Sequence, residues 1–587
     1  MRQHLLLLAV AVLSLCTATA QPLTVKTDSA GQLSRLIADS VKFTIADLKV
    51  SGPLDGADLK LIQQIATRTK TDKKKPGECL LSSLDLSEAS IVDSKTGIKT
   101  KEDELPASLF SGAKNLQRVL LPGGVINVSK NCFNNCTSLV EVTIPQTVSE
   151  IENQAFNNCA SLPAITLPST LKSIGAHAFD GCKVLSVMEL PETVSAIGND
   201  AFEGCTALTR VSVPGKVGEL KSSTFENCES LQQVDLPPTL SSIGNAAFHN
   251  CKSLKTLSIP SVREVGAMAF EQCLSLTTID MENARTIGNA AFQECKSLEQ
   301  VTLKSCDKLA SNAFEQCSSL TTVIIGGGLE SVGNDAFKNC SSLVVIQLPD
   351  NVKSLGDEAF FGCHSLKSID LPKALTKIGG HAFEQCSNLS SIAIPNLVKT
   401  MGNSVFEQCS SLVSATIGGF ITEVSTDLFR GCQNLKEVTI PVSVKKIGNN
   451  AFRECTSLTA IQLPVSVLEI GSSAFEKCSS LTAIVLPPSV NSVGSDAFAG
   501  CSSMSSAELS VGLKKMGGTA FGKCVSLVTI YANAPLPAKI RKNTFKGVTG
   551  ACQLYVPRGC RLMYQQDKQW GAAFSQISEV PSPTITQ

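Results

Sequence analysis

Apolar residues along most of this chain recur in one frame. Phe returns from Phe110 to Phe545 at a step of 23, apart from three steps of 22 between Phe248 and Phe314 and a last step of 24. The unit from Ala359 to Gly379 shows what travels with it: Ala359-Phe360, Cys363, Leu366, Ile369, Leu371-Pro372, Leu375 and Ile378-Gly379. The segment L-x-x-I-x-L alternates apolar and polar positions as a short strand with one buried face does, and the Pro after it ends the pairing. Strands one period apart therefore stack in parallel. The second apolar pair leads to a Gly whose φ freedom suits a turn, and the following D/N-x-A-F stretch is expected to close the coil as a helical or 3₁₀ turn. No unit buries its apolar face alone, so stability comes from neighbours.

A repeat of 20–29 residues is the period of leucine-rich repeats. The expected fold is thus an α/β-type leucine-rich repeat solenoid, mostly short parallel strands with turns or short helices. About nineteen coils spaced ~4.8 Å apart would give a curved right-handed rod on the order of 90 Å long, with a cap at each end. Written out, the unit is A-F-x-x-C-x-S-L-x-x-I-x-L-P-x-S-V-x-x-I-G over residues 105–530. In this pairing of Phe with Cys the chain resembles the BspA-like leucine-rich repeat family, secreted and surface proteins common in Bacteroidetes. Leu81, Leu84-Asp85-Leu86-Ser87 look like an entry coil, and Leu554-Tyr555-Val556-Pro557 with Tyr564 and Trp570 is similar to the C-terminal cap of bacterial members. The resemblance implies an extracellular binding or adhesion role, with host or matrix proteins or glycans as partners. The short tail carries no recognisable Ig-like stalk, sorting domain or anchor.

The ends differ from the repeat. Residues 1–20 carry Arg2, an apolar run from Leu5 to Leu15 and Ala18-Thr19-Ala20 before Gln21, the layout of a cleaved secretory signal peptide. That run is too short to span a membrane. Leu15 before Cys16 argues against a lipid-attachment site. Residues 21–77 read as an N-terminal cap, with a helix beginning at an N-cap Asp58 and burying Leu59, Leu61, Ile62 and Ile65. The basic run from Arg68 to Gly77 reads as a solvated loop. The repeats fill 78–530, and 531–587 form the C-terminal cap and tail.

Composition narrows the function. Lys plus Arg (51) equals Asp plus Glu (51) in a chain of which 17% is charged, so neither nucleic acid nor a polybasic membrane contact is expected. Asp28-Ser29-Ala30 and Asp39-Ser40-Val41 match a weak bacterial O-glycosylation pattern.

Eighteen of the 24 cysteines stand three residues after a repeat Phe: Cys136, Cys159, Cys182, Cys205, Cys228, Cys251, Cys273, Cys295, Cys317, Cys340, Cys363, Cys386, Cys409, Cys432, Cys455, Cys478, Cys501 and Cys524. Neighbours in this column would be close enough for disulfides, but parallel Cβ vectors do not give the dihedral near 90° that a disulfide needs. A buried ladder of free thiols is expected, despite export. Cys552 and Cys560 flank one strand, and two readings stay open for them, a clip within the cap or free thiols. No C-x-x-C pair or Cys/His cluster marks a metal site, and no cofactor is expected.

No unique constellation interrupts the period, so no enzyme is expected. His177, His249, His364 and His381 read as surface substitutions. The polar positions of the strands should face outward, and there the candidates for ligand contact are Arg210, Gln233, Asp235, Asp280, Gln300, Gln347 and Asp370. The residue after Phe is often acidic (Asp180, Glu203, Glu226), while Lys399, Lys445, Lys446, Lys514 and Lys515 lie near the opposite turn. The leading expectation is a non-catalytic binding or adhesion scaffold. The alternative is a structural spacer acting through its caps, with contacts drawn from Tyr531, Tyr555, Tyr564 and Trp570, most of which are expected to pack within the cap.

Overall fold

The computed structural model describes residues 21–67 and 80–580. The export segment, the basic run from Arg68 to Gly77, Cys16, Cys79 and the last seven residues lie outside the described residues. The chain divides into two units, Met1–Ser261 and Val262–Gln587, each a parallel-strand solenoid built from the same coil.

The alternation in L-x-x-I-x-L becomes a strand with one face inward. Val211 is fully buried between exposed Arg210 and Ser212, and Leu208 before them is fully buried too. Strand Arg210–Ser212 pairs in parallel with Val187–Glu189 and Gln233–Asp235, shifted by one whole unit of 23. A slip of one residue would turn every Leu and Ile outward, so burial fixes this register. The second apolar pair also forms a strand, only two residues long, where the sequence suggested only the approach to a turn. Glu219–Leu220, for example, pairs in parallel with Ser242–Ile243. Each coil therefore contributes to a front sheet and a side sheet.

In the first unit the front ladder runs through Ser83–Asp85, Arg118–Leu120 and Glu141–Thr143, then resumes from Val187–Glu189 to Gln233–Asp235. Between them Pro163 has no N–H to donate to the coil before it, and only one bridge, Ala164 to Val187, remains. In the second unit the front strands run from Thr278–Asp280 to Val345–Gln347, from Ser391–Ala393 to Glu437–Thr439 and from Ala483–Val485 to Gln576–Glu579. The coils at 368–370 and 460–462 form no strand.

Of the two options for the stretch around Phe, the repeats take turns. Among the described residues helix is confined to Leu33–Leu36, Gly56–Thr67, Arg561–Gln566 and Trp570–Ala573. Two positions per coil sit at positive φ, such as Asn158 (58°) and His177 (53°). The Gly after the side strand is not one of them. Gly379 is needed for a different reason: a Cβ there would lie 2.4 Å from Asp357 N and Gly356 C, atoms of the preceding coil's backbone.

Inside each unit the Phe rings stack in a column, Phe110 to Phe248 in the first and Phe270 to Phe545 in the second, with centroids 5.0 to 5.7 Å apart. At the N-terminal end, strands Gln21–Lys26 and Ile45–Leu54 precede the first coil strand in parallel. The helix Gly56–Thr67 packs as its apolar spacing requires, but Asp58 is not its N-cap. Asp55 Oδ1 accepts from the N–H groups of Ala57 and Asp58 (2.8 and 3.1 Å), the N-cap's role. Asp58 is buried instead and accepts from the backbone of Gly31 and Leu33 (2.7 and 2.9 Å), tying the helix to the segment before it.

Candidate binding face

In each unit the front sheet holds its outward side chains in columns one coil apart. Arg210, Gln233, Asp280, Gln300, Gln347 and Asp370 are exposed, and Asp235 is half-buried. The structure brings three of them together. Arg210 stands opposite Gln233, its Nη2 donates to Asp235 Oδ2 at 2.8 Å, and Gln233 Nε2 donates to Asp235 Oδ1 at 2.9 Å. The Arg210 guanidinium holds the Asp235 carboxyl below its ordinary value. Such an exposed pair contributes little to stability; what it supplies is a fixed cluster of donors and acceptors. The other four occupy outward positions of separate coils: Gln300 lies between Thr278 and Thr322, Gln347 beside Ile324, and Asp370 on the unpaired coil.

Behind this face lies the thiol ladder. All eighteen of its cysteines are buried and free. Where the bonds are resolved, each Sγ donates to the carbonyl of the Phe one coil earlier, as Cys136 does to Phe110 at 3.1 Å and Cys363 to Phe337 at 3.2 Å. Burial pushes the Cys136 and Cys478 thiols up to about 12, so thiolate chemistry is suppressed. Cys132 and Cys306 are further buried thiols, standing where other units carry Ala and Val or Leu. Cys552 and Cys560 are both free, so the clip is not formed.

Three features of the surface escape a reading by single residues. First, His177, Asp180 and Glu203 bring one ligand atom each within 4.8 Å of one another, a half-buried group of the kind that can hold a metal ion. His177 Nδ1 lies 3.2 Å from Asp180 and Nε2 3.4 Å from Asp200. Burial, then repulsion from Asp180, Glu226 and Asp200, raises the Glu203 carboxyl to about 7. The signal was the acidic residue after Phe in two successive units, joined by a His that belongs to a different column.

Second, the unpaired coil at 460–462 floors a hollow of about 820 Å³ lined by Val438, Ala460, Ile461, Val465, Val485 and Pro487. A smaller one of about 490 Å³ marks the Pro163 coil, lined by Ala164, Thr166, Val187 and Glu189 among others. Third, the aromatic residues of the C-terminal region divide. Tyr564 and Trp570 are buried, and donate to the carbonyls of Ala534 (2.8 Å) and Ala538 (2.9 Å). Tyr531 and Tyr555 stack on each other at 5.1 Å in the outward column of the front sheet.

No helix among the described residues is long and apolar enough to cross a membrane. The model of the BspA type leucine rich repeat region matches residues 103–232, 218–344, 307–436 and 422–551. No curated protein matches the chain. Among solved structures, a leucine-rich repeat protein of Bacteroides ovatus is 23% identical, covering 79% of this chain and 90% of its own at a TM-score of 0.29. A leucine rich cell surface protein of Faecalibacterium prausnitzii is 24% identical, with 58% and 91% covered and a TM-score of 0.34. The T. pallidum leucine rich repeat protein is 31% identical over 27% of this chain and 72% of its own, with a TM-score of 0.25. The matched repeats, which span most of the chain and carry the stacked Phe and thiol columns, decide the assignment: the chain belongs to the BspA-type leucine-rich repeat family.

Proposed function

We propose that this repeat scaffold is an extracellular or cell-surface binding protein, without catalysis, whose front sheet presents its outward columns to protein or glycan ligands of a host or matrix. One observation carries the reading: exposed donors and acceptors, such as the Arg210, Gln233 and Asp235 cluster, stand on a ladder whose register is set by burial of the opposite face. Contacts that are weak singly add along such a face through avidity. The alternative of a spacer acting through its caps loses support, because Tyr564 and Trp570 of its four contact residues are spent inside the C-terminal cap.

The test is binding of the purified chain to an array of matrix proteins, mucins and glycans at low and high salt. Saturable binding that weakens with salt supports polar contact through the front face. Silence across the array sends the search to partners in the producer's own envelope.

A further inference from the structure

The turn after each front strand forms a ridge, and its character changes along the second unit. The residue two places after the last apolar strand position is polar or charged in Gln146, Ser169, Glu192, Asp350, Lys373 and Asn396. In the last four full repeats it is Val442, Val465, Pro488 and Val511, and Leu397 and Phe420 stand one residue further on in the two coils before them. Val442 is 78% exposed and Val465 74%, and Leu397, Phe420 and Val511 are exposed as well. A row of exposed apolar side chains over six adjacent coils, beside the hollow at Ala460 and Val485, is unusual for a surface that nothing covers.

The charges around the ridge indicate what covers it. Glu437 lies on the strand side of its coil and Lys445 on the turn side, with Val442 between them. Three coils on, Val511 and Lys514 hold the places of Val442 and Lys445, and an acidic residue again lies on the strand side, Glu508, at the outward position of Thr439 rather than that of Glu437. The two coils between carry no charge at either outward strand place or at the turn place: Ala460, Gln462 and Leu468, then Ala483, Val485 and Asn491. Among the described residues Lys445 and Lys514 make no ion pair, and Glu508 accepts only a neutral bond from Asn533 at 2.9 Å.

We propose that this ridge is a self-association surface and that its occupant is a second copy of the chain. A two-fold axis lying along the ridge sets each coil against the same coil of the second copy and exchanges the strand side with the turn side. Val442, Val465, Pro488 and Val511 then meet their own counterparts. Glu508 and Lys514, each three residues from Val511, approach Lys514 and Glu508 of the second copy, and Glu437 lies on the side of Lys445 but two residues further out. A strip of six coils is ~30 Å long and, over about six extended residues, ~20 Å wide. Two copies therefore bury about 1,200 Å², the low end of a specific interface, and association is weak and concentration-dependent.

Sedimentation equilibrium of the purified full chain from about 1 to 200 μM, a range that brackets weak association, tests this. The wild type should pass from monomer to dimer. V465E should remain monomeric at every concentration, with an unchanged circular dichroism spectrum, because Val465 is outside the core. E508K and K514E should each weaken association at least ~10-fold, whereas the double exchange E508K/K514E should restore it. A wild type that is monomeric throughout overturns the proposal, as does a dimer that survives V465E or a double exchange weaker than both single variants.

Discussion

At the scale of the residue, the repeat asks for particular backbones. The Gly that ends each side strand was expected for its freedom in φ, and its actual constraint is space against the coil before it. Replacing Gly379 by Ala drives a Cβ into backbone that has no room to yield, and should destabilise the chain by about 1–3 kcal/mol in a urea titration. The left-handed position two residues after Phe has the opposite economy. Gly431 occupies it freely, while Gln408 holds φ at 59° with a side chain in solvent. Gln408→Gly should stabilise by about 1 kcal/mol, and the same titration reads it.

Glu203 titrates where most carboxylates do not. Its ordinary value near 4.5 is raised in the fold to about 7, so the folded state takes up the proton more readily than the unfolded chain. The stabilisation from protonation is full below about pH 4.5 and is lost as pH rises through about 7. Glu203→Gln should therefore melt at a higher temperature than wild type at pH 8, with the gap closing toward pH 4.5, as read by thermal denaturation at several pH values.

At the scale of the element, each coil is a frame for the next. The thiol of one coil closes on the Phe carbonyl of the coil before, and the Phe ring stacks on that coil's ring. Ellman's reagent should leave all eighteen ladder thiols unmodified in the native chain and titrate them in guanidinium, while half-exposed Cys560 reacts first. Rapid native labelling of the ladder would contradict the packing.

These columns were legible in the sequence because each rests on residue identity at a fixed period. The side sheet was not, since two-residue strands such as Lys377–Ile378 are too short to show an alternation. The N-terminal helix was legible in its apolar spacing but not in its cap, because Asp55 and Asp58 are both good capping residues and only tertiary contacts separate their roles. Of the front-sheet interruptions, Pro163 announces one. The coil at 460–462 carries the same letters as its paired neighbours, so its hollow belongs to the stack and to no residue. The outward columns were legible as columns, but which residues would meet was not: Arg210 reaches Asp235 diagonally, across two positions and one coil.

At the scale of the whole molecule, the chain invests its sequence in repetition and leaves variation to the outward positions. Shared Phe, Cys, Leu and Ile build the scaffold, and what distinguishes one coil from another is its front column, its turn and its edge. Function is therefore sought on those surfaces. The most direct test is titration of array ligands against the wild type and a variant carrying R210A, Q233A and D235A, three changes outside the core. The proposed function requires a saturable ligand whose affinity falls at least ~10-fold in the variant, or about 1.4 kcal/mol, with no change in melting temperature. Undiminished binding by the variant would contradict the front sheet as the binding face, and the absence of any saturable ligand on the array would contradict a host or matrix ligand.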